Sequence, residues 1–163
     1  MDPVTTKVTI GRPREEVFDY LADIANHAEF SDHYLKDWRL TRVDSVGRGA
    51  GARFRRAKRF DRFGWGDMTF IEVDRPYRIV AVGRSGKFNR NKTYSTWALT
   101  PSGGGTVVEY TTEIEPKFPT DRIMEAFGMR AWFKRGGRKA MRRLQSILEE
   151  DYDRGKRASV AGL

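Results

Sequence analysis

Val4-Thr5-Thr6-Lys7-Val8-Thr9-Ile10 runs into Gly11-Arg12-Pro13-Arg14-Glu15-Glu16-Val17-Phe18-Asp19-Tyr20-Leu21, and the change of pattern between the two segments decides the fold. In the first, Val4, Thr6, Val8 and Ile10 share one face and Thr5, Lys7 and Thr9 the other, the period of a half-buried strand that ends at Gly11. In the second, Pro13 is pre-set for a first helical turn and Glu15 and Glu16 suit the positive end of a helix dipole. Val17, Phe18, Leu21 and Ile24 then recur at helical spacing. Ala25 to Leu35, with Phe30, Tyr34 and Leu35 among polar residues, predicts a second short helix.

From Trp38 onward the pattern is that of strands and turns. Trp38–Val43, Ala52–Arg55, Met68–Val73, Tyr77–Val82, Lys92–Leu99 and Val107–Ile114 are short β-rich runs, separated by glycines and by Arg75-Pro76 and Pro101-Ser102-Gly103-Gly104-Gly105. Links this short require antiparallel neighbours, because a parallel crossover needs a dozen or more residues. Pro119-Thr120-Asp121 then opens a helical stretch reaching about Tyr152, with Thr120 or Asp121 as its cap and a stripe through Ile123, Phe127, Ala131, Ala140, Met141, Leu144 and Ile147. Gly128, Gly136 and Gly137 each cost about 1 kcal/mol inside such a helix, so they call for a bend, close packing or room for something against the helix.

A chain of 163 residues fits one domain, read here as 1–152, followed by a flexible basic tail over 153–163. Lys and Arg number 31 against 22 Asp and Glu, a formal charge of +9 that bears on partners rather than on fold. The absence of cysteine excludes a disulfide scaffold, a thiolate metal site and a cysteine nucleophile. With no leader-like start and no long apolar run, the expected location is the cytoplasm, where the sequon Asn91-Lys92-Thr93 is silent.

Strand, two short helices, six strands and a long helix, in that order, resemble the helix-grip fold of the START-like (SRPBCC) superfamily. Within it the sequence is most similar to the polyketide cyclase/dehydrase and lipid-transport group. The resemblance is carried by Arg12–Asp23, Gly47-Arg48-Gly49-Ala50-Gly51-Ala52-Arg53-Phe54, Glu72–Ile79, Gly104–Tyr110 and Leu144–Glu149, which together span nearly the whole chain. It implies an α+β domain in which a curved seven-stranded antiparallel sheet grips the C-terminal helix and a hydrophobic small molecule is held between them. One fold hosts many functions, so the site has to be argued from residues.

By period-two reading, Phe54, Ile71, Trp97, Leu99, Val108 and Tyr110 face inward and meet Phe30, Tyr34, Trp38, Phe127, Ala131 and Trp132 from helices and connections. Such a lining suits a flat apolar ligand in a pocket of roughly 300 to 1,000 Å³, or else packs solidly as core. Asp67 and Thr69 join it if their face of the strand is inward, and Asp67 is then a candidate acid or base for an enolisable carbonyl. Tyr34 and Tyr110 are candidate proton or hydrogen-bond donors, as is Arg56 if its strand turns it inward. One-residue slips in register reverse any of these assignments.

His27, Glu29, Asp32 and His33 read as a solvated surface, because the histidines are six apart and share no helical face; no metal and no cofactor is expected. Gly47-x-Gly49-x-Gly51 leads into a strand and reads as tight turns rather than a nucleotide loop. Two basic runs stand out. Arg53, Arg55, Arg56, Lys58, Arg59 and Arg62 are interleaved with Phe54, Phe60 and Phe63, and Lys134, Arg135, Arg138, Lys139, Arg142 and Arg143 follow on the terminal helix. They suit solvated faces or transient contact with an anionic membrane, with nucleic acid the less favoured partner. Binding of a polyketide, lipid or quinone-like compound is therefore the leading expectation. An aromatase/cyclase-type enzyme and an interaction module with a basic face are the alternatives.

Overall fold

The computed structural model describes residues 2–59, 61–126, 128–150 and 157–161. Its elements are β1 (Val4–Ile10), α1 (Arg14–Ala22), α2 (His27–Ser31), β2 (Leu35–Leu40), β3 (Gly51–Arg56), β4 (Trp65–Asp74), β5 (Arg78–Ser85), β6 (Asn91–Ser102), β7 (Gly105–Glu115), α3 (Pro119–Ala126) and α4 (Met129–Glu150). The strands form one antiparallel seven-stranded sheet in the order β1-β7-β6-β5-β4-β3-β2, so hairpins carry the chain from β2 to β7 and β1 closes on β7. The tightest hairpin turns on Gly103 and Gly104, with φ of 54° and 84°, the two left-handed residues that a two-residue link between twisted strands demands.

The sheet curls into a half-barrel whose concave face receives α4. Met129, Ala140, Met141, Leu144 and Ile147 of α4 are buried there, at helical spacing. The single helix expected from Pro119 to Tyr152 is two helices: Gly128, at φ 77°, breaks the run between α3 and α4. Gly136 and Gly137 have another cause, close approach. A Cβ on Gly136 would lie 2.4 Å from Cδ2 of Tyr34, and one on Gly137 would lie 3.2 Å from Cγ2 of Thr6. At its far end α4 is tied to the exit of β1, where Gly11 N donates to Glu149 Oε1 (2.6 Å) and Arg12 Nε donates to Leu148 O (2.8 Å). A cation on a last-turn carbonyl satisfies both a free acceptor and the helix dipole.

β4 faces the other way from the expected register. Gly66, Met68 and Phe70 point into the core, while Asp67, Thr69 and Ile71 lie on the outer face, Ile71 44% exposed. A register shift between Phe70 and Glu72 then inverts the alternation and brings Val73 back against the core. Both parities of this strand carry apolar residues for that reason. Of the segment read as a tail, 157–161 are described, and they lie against the body. Ala158 N donates to Ala25 O (3.0 Å), Leu40 N donates to Ser159 O (3.1 Å), and Arg157 pairs with Asp23.

Candidate functional site

The closed end of the grip is filled with rings. His27 sits with its centroid 4.9 Å from Trp97 and 5.2 Å from Phe30, Trp97 lies 4.9 Å from Tyr110, and Trp38 lies 4.9 Å from Phe54. Phe30, Trp97 and Leu99 are buried in the same cluster, and only about 10 Å³ of space remains between His27, Phe30, Tyr34, Trp38, Trp97 and Tyr110. Those expected lining residues therefore act here as core, by the offset and edge contacts that aromatic rings prefer. Ala131 is exposed on α4, whereas Trp132 beside it is half-buried, 5.5 Å from Tyr34; Phe127 lies outside the described residues.

Room opens at the other end. An inner cavity of about 30 Å³ is bounded by Leu35, Phe54, Tyr110, Ile114 and Phe133 on its apolar sides and by Ser85, Ser95 and Thr112 on a polar strip. Beyond it lies a cleft of about 540 Å³ between the β3–β4 connection, the β5–β6 connection, Thr120 and Asp121 of α3, and Met129. Arg56, Ser85 and Ile114 border both spaces, so they form the threshold between them. β3 places Arg56 there because its inward parity runs Ala52, Phe54, Arg56. A depression of about 640 Å³ on the outer face is bordered by Thr41, Arg42, Asp67, Thr69 and Tyr94, and it shares Asp67, Val82, Arg84 and Thr93 with the lining of the inner cavity.

Burial sets the chemistry of the interior groups. The phenols of Tyr34 and Tyr110 are pushed up from their ordinary value by loss of water, so both stay protonated. Ser95 Oγ lies 3.3 Å from Tyr110 Oη and 3.5 Å from Thr112 Oγ1, a hydroxyl ladder on the cavity wall. Burial drives His27 down to about 4, and its Nε2–H donates to Leu21 O at 2.8 Å, so the imidazole is neutral and structural. Asp67 Oδ1 accepts from Arg84 N at 2.9 Å, and the residue lies on the outward parity of β4, where it borders both the outer depression and the inner cavity.

The cluster expected on the surface divides. His27 and Glu29 are only 1% and 2% exposed, with Glu29 Oε2 accepting from Tyr20 Oη at 2.6 Å. His33 is half-buried and bonds Gly136 O at 3.1 Å, and Asp32 is exposed and pairs with Arg143.

The family model described as polyketide cyclase/dehydrase and lipid transport matches residues 1–149. The chain belongs to that family. Its fold is shared by solved structures of low sequence identity. KanY matches with TM-score 0.72 and 13% identity, over 90% of this chain and 96% of its own. TTHA0849 of Thermus thermophilus matches with TM-score 0.68 and 13% identity, over 93% and 99%. DynU16, from the dynemicin biosynthetic locus, matches with TM-score 0.63 and 17% identity over 98% of this chain, which spans 51% of DynU16. No curated protein matches the sequence at a significant level. Family membership and fold together support binding of a hydrophobic ligand.

In this member of the polyketide cyclase/dehydrase family, the residues that sequence reading did not place in the site are Ser85, Ser95, Thr112, Ile114, Met129 and Phe133. The first three carried a usable signal. Hydroxyls at inward positions of β5, β6 and β7 occupy places where a solid core takes Val or Leu.

Proposed function

We propose that the chain binds a polyketide, lipid or quinone-like molecule at the open end of the grip, entering through the cleft beside Arg56 and Met129 and reaching inward toward Tyr110 and Phe133. The observation that carries this reading is the adjacency of the 540 Å³ cleft and the apolar inner cavity, which have Arg56, Ser85 and Ile114 as common walls. A volume of this order falls within the roughly 300 to 1,000 Å³ of small-molecule sites, and a few polar groups among apolar walls are their usual composition.

The aromatase/cyclase reading rests on a narrower observation, two buried phenols held in their protonated form. A phenol that donates to a carbonyl oxygen stabilises the charge developing there during enolisation. Asp67 is not favoured as the base in that reading, because its Oδ1 is held by Arg84 N on the outward parity of β4.

Native mass spectrometry of protein purified from its own host, with extraction of whatever co-purifies, tests the proposal. A stoichiometric apolar compound, displaced by the neutral dye N-phenylnaphthylamine, is the expected result. An empty protein that also takes up no such dye overturns it. Tyr110→Phe then separates carrier from enzyme: uptake retained with turnover lost marks a catalytic phenol.

A further inference from the structure

We propose that the cleft at the mouth recognises an acidic head group, a carboxylate, sulfonate or phosphate, on a soluble molecule whose apolar body lies in the same cleft. The inference rests on the hydrophobic-ligand reading above and names the ligand class.

The charge of the lining is one-sided. Among the described residues the cleft is bordered by six cations, Arg56, Lys58, Arg59, Arg62, Lys87 and Arg90, and by two carboxylates, Asp61 and Asp121. Both carboxylates are already committed. Asp61 Oδ2 accepts from Arg56 Nε at 2.9 Å and its Oδ1 from Phe63 N at 3.2 Å, while Asp121 Oδ2 accepts from Arg90 Nε at 2.9 Å. The carboxylates thus fix two guanidinium groups in place and leave the cleft positive. The Lys87 ammonium rests on rings, 5.3 Å from Phe88 and 5.9 Å from Phe63.

Two buried groups aim this charge at the threshold. The Arg56 side chain is 8% exposed, held by Asp61 and by Phe63 O at 3.0 Å, and these contacts use two of the five guanidinium hydrogens. Ser85 is 4% exposed and its Oγ has no hydrogen-bond partner among the described residues. A buried hydroxyl without a partner costs free energy that an acceptor at the threshold restores. An oxyanion between Arg56 and Ser85 meets a charged donor and a neutral one, and the exposed Arg62 and Lys87 of the cleft wall add a longer-range attraction that salt screens. Its apolar body then lies along the cleft against Phe63, Ile114 and Met129.

A matched pair of dyes reads the head group alone: N-phenylnaphthylamine and its sulfonate, anilinonaphthalene sulfonate, share one apolar body. On the full chain at low salt, the sulfonate is expected to bind once per chain and about tenfold tighter than the neutral dye, with salt weakening only the sulfonate. Lys87→Glu and Arg62→Glu close the gap. Arg138→Glu, an equal change of charge on the exposed face of α4, leaves it open. Ser85→Ala weakens the sulfonate and leaves the neutral dye unchanged.

Equal affinity for the two dyes, or a gap that Arg138→Glu closes as well, overturns the inference while the hydrophobic-ligand reading stands. Failure of both dyes to bind defeats that reading first. Sedimentation with phosphatidylglycerol vesicles, without selectivity between the dyes, assigns the cations to a lipid surface and also overturns it.

Discussion

Gly136→Ala sets helix propensity against packing, and the structure says which wins. Alanine gains about 1 kcal/mol over glycine in a helix interior. Here the new Cβ would sit 2.4 Å from Tyr34 Cδ2 and 2.7 Å from Cγ, where ordinary contact begins at 3.4 Å. The ring has to retreat by about 1 Å, and it is the root of the ring that is struck, not a flexible tip. Its retreat is blocked by Trp132 at 5.5 Å and His33 at 4.9 Å between centroids. Overpacking of this kind costs about 1 to 3 kcal/mol, and the depth of the overlap places this site near the upper end. The expected net loss is about 2 kcal/mol, or about 4 to 8 °C in Tm for a domain of this size. In a Tyr34→Ala background the same substitution fills space and becomes neutral or stabilising. Gly137→Ala, facing the Thr6 methyl at 3.2 Å and its hydroxyl at 3.3 Å, falls between the two. Urea and thermal unfolding of the four proteins measure the coupling; a Gly136→Ala variant as stable as the parent refutes the packing argument.

Protonation of His27 makes stability depend on pH: its folded pKa of about 4 lies below the 6.5 of an exposed histidine, so the unfolded chain binds the extra proton first. Its contribution is complete above 6.5 and is lost as pH falls toward 4, about 3 kcal/mol in all, and His27→Gln should remove that component from a urea series across this range. Gly83→Ala should prevent stable folding or cost more than about 3 kcal/mol, because its Cβ would lie 1.8 Å from the backbone oxygen of Asp67; circular dichroism and urea midpoints report it. Asp67→Asn should leave uptake of the neutral dye within about twofold, because a neutral isostere keeps the shape of the wall and still accepts from Arg84 N; a larger loss would return Asp67 to the site.

The fold was legible because β1 and α1 differ in period over adjacent residues and because short glycine-rich links force antiparallel pairing. The site was only partly so. On β6 and β7 the alternation runs without a shift, and Trp97, Leu99, Val108 and Tyr110 face inward as read. On β4 the shift at Ile71 lets both parities carry large apolar residues, and local alternation cannot choose between Trp65, Ile71 and the true inward pair, Met68 and Phe70. His27 and Glu29 escaped for a different reason. Their burial depends on the sheet curling over α2, a tertiary fact with no local sign in so short a helix. Nor did any single motif announce the open end, which is assembled from two connections and the break at Gly128.

A half-barrel leaves two unclosed edges, and each is an invitation to a second chain. The structure blunts both from within. Along β1, Gln145 Nε2 donates to Thr9 O at 3.1 Å and Glu149 takes Gly11 N, so α4 occupies backbone groups that a docking strand needs. Along β2, Ser159 takes Leu40 N and bridges Arg39 in parallel. The same helix that the sheet grips thus guards one margin against edge-to-edge aggregation, and the last described residues of the chain guard the other.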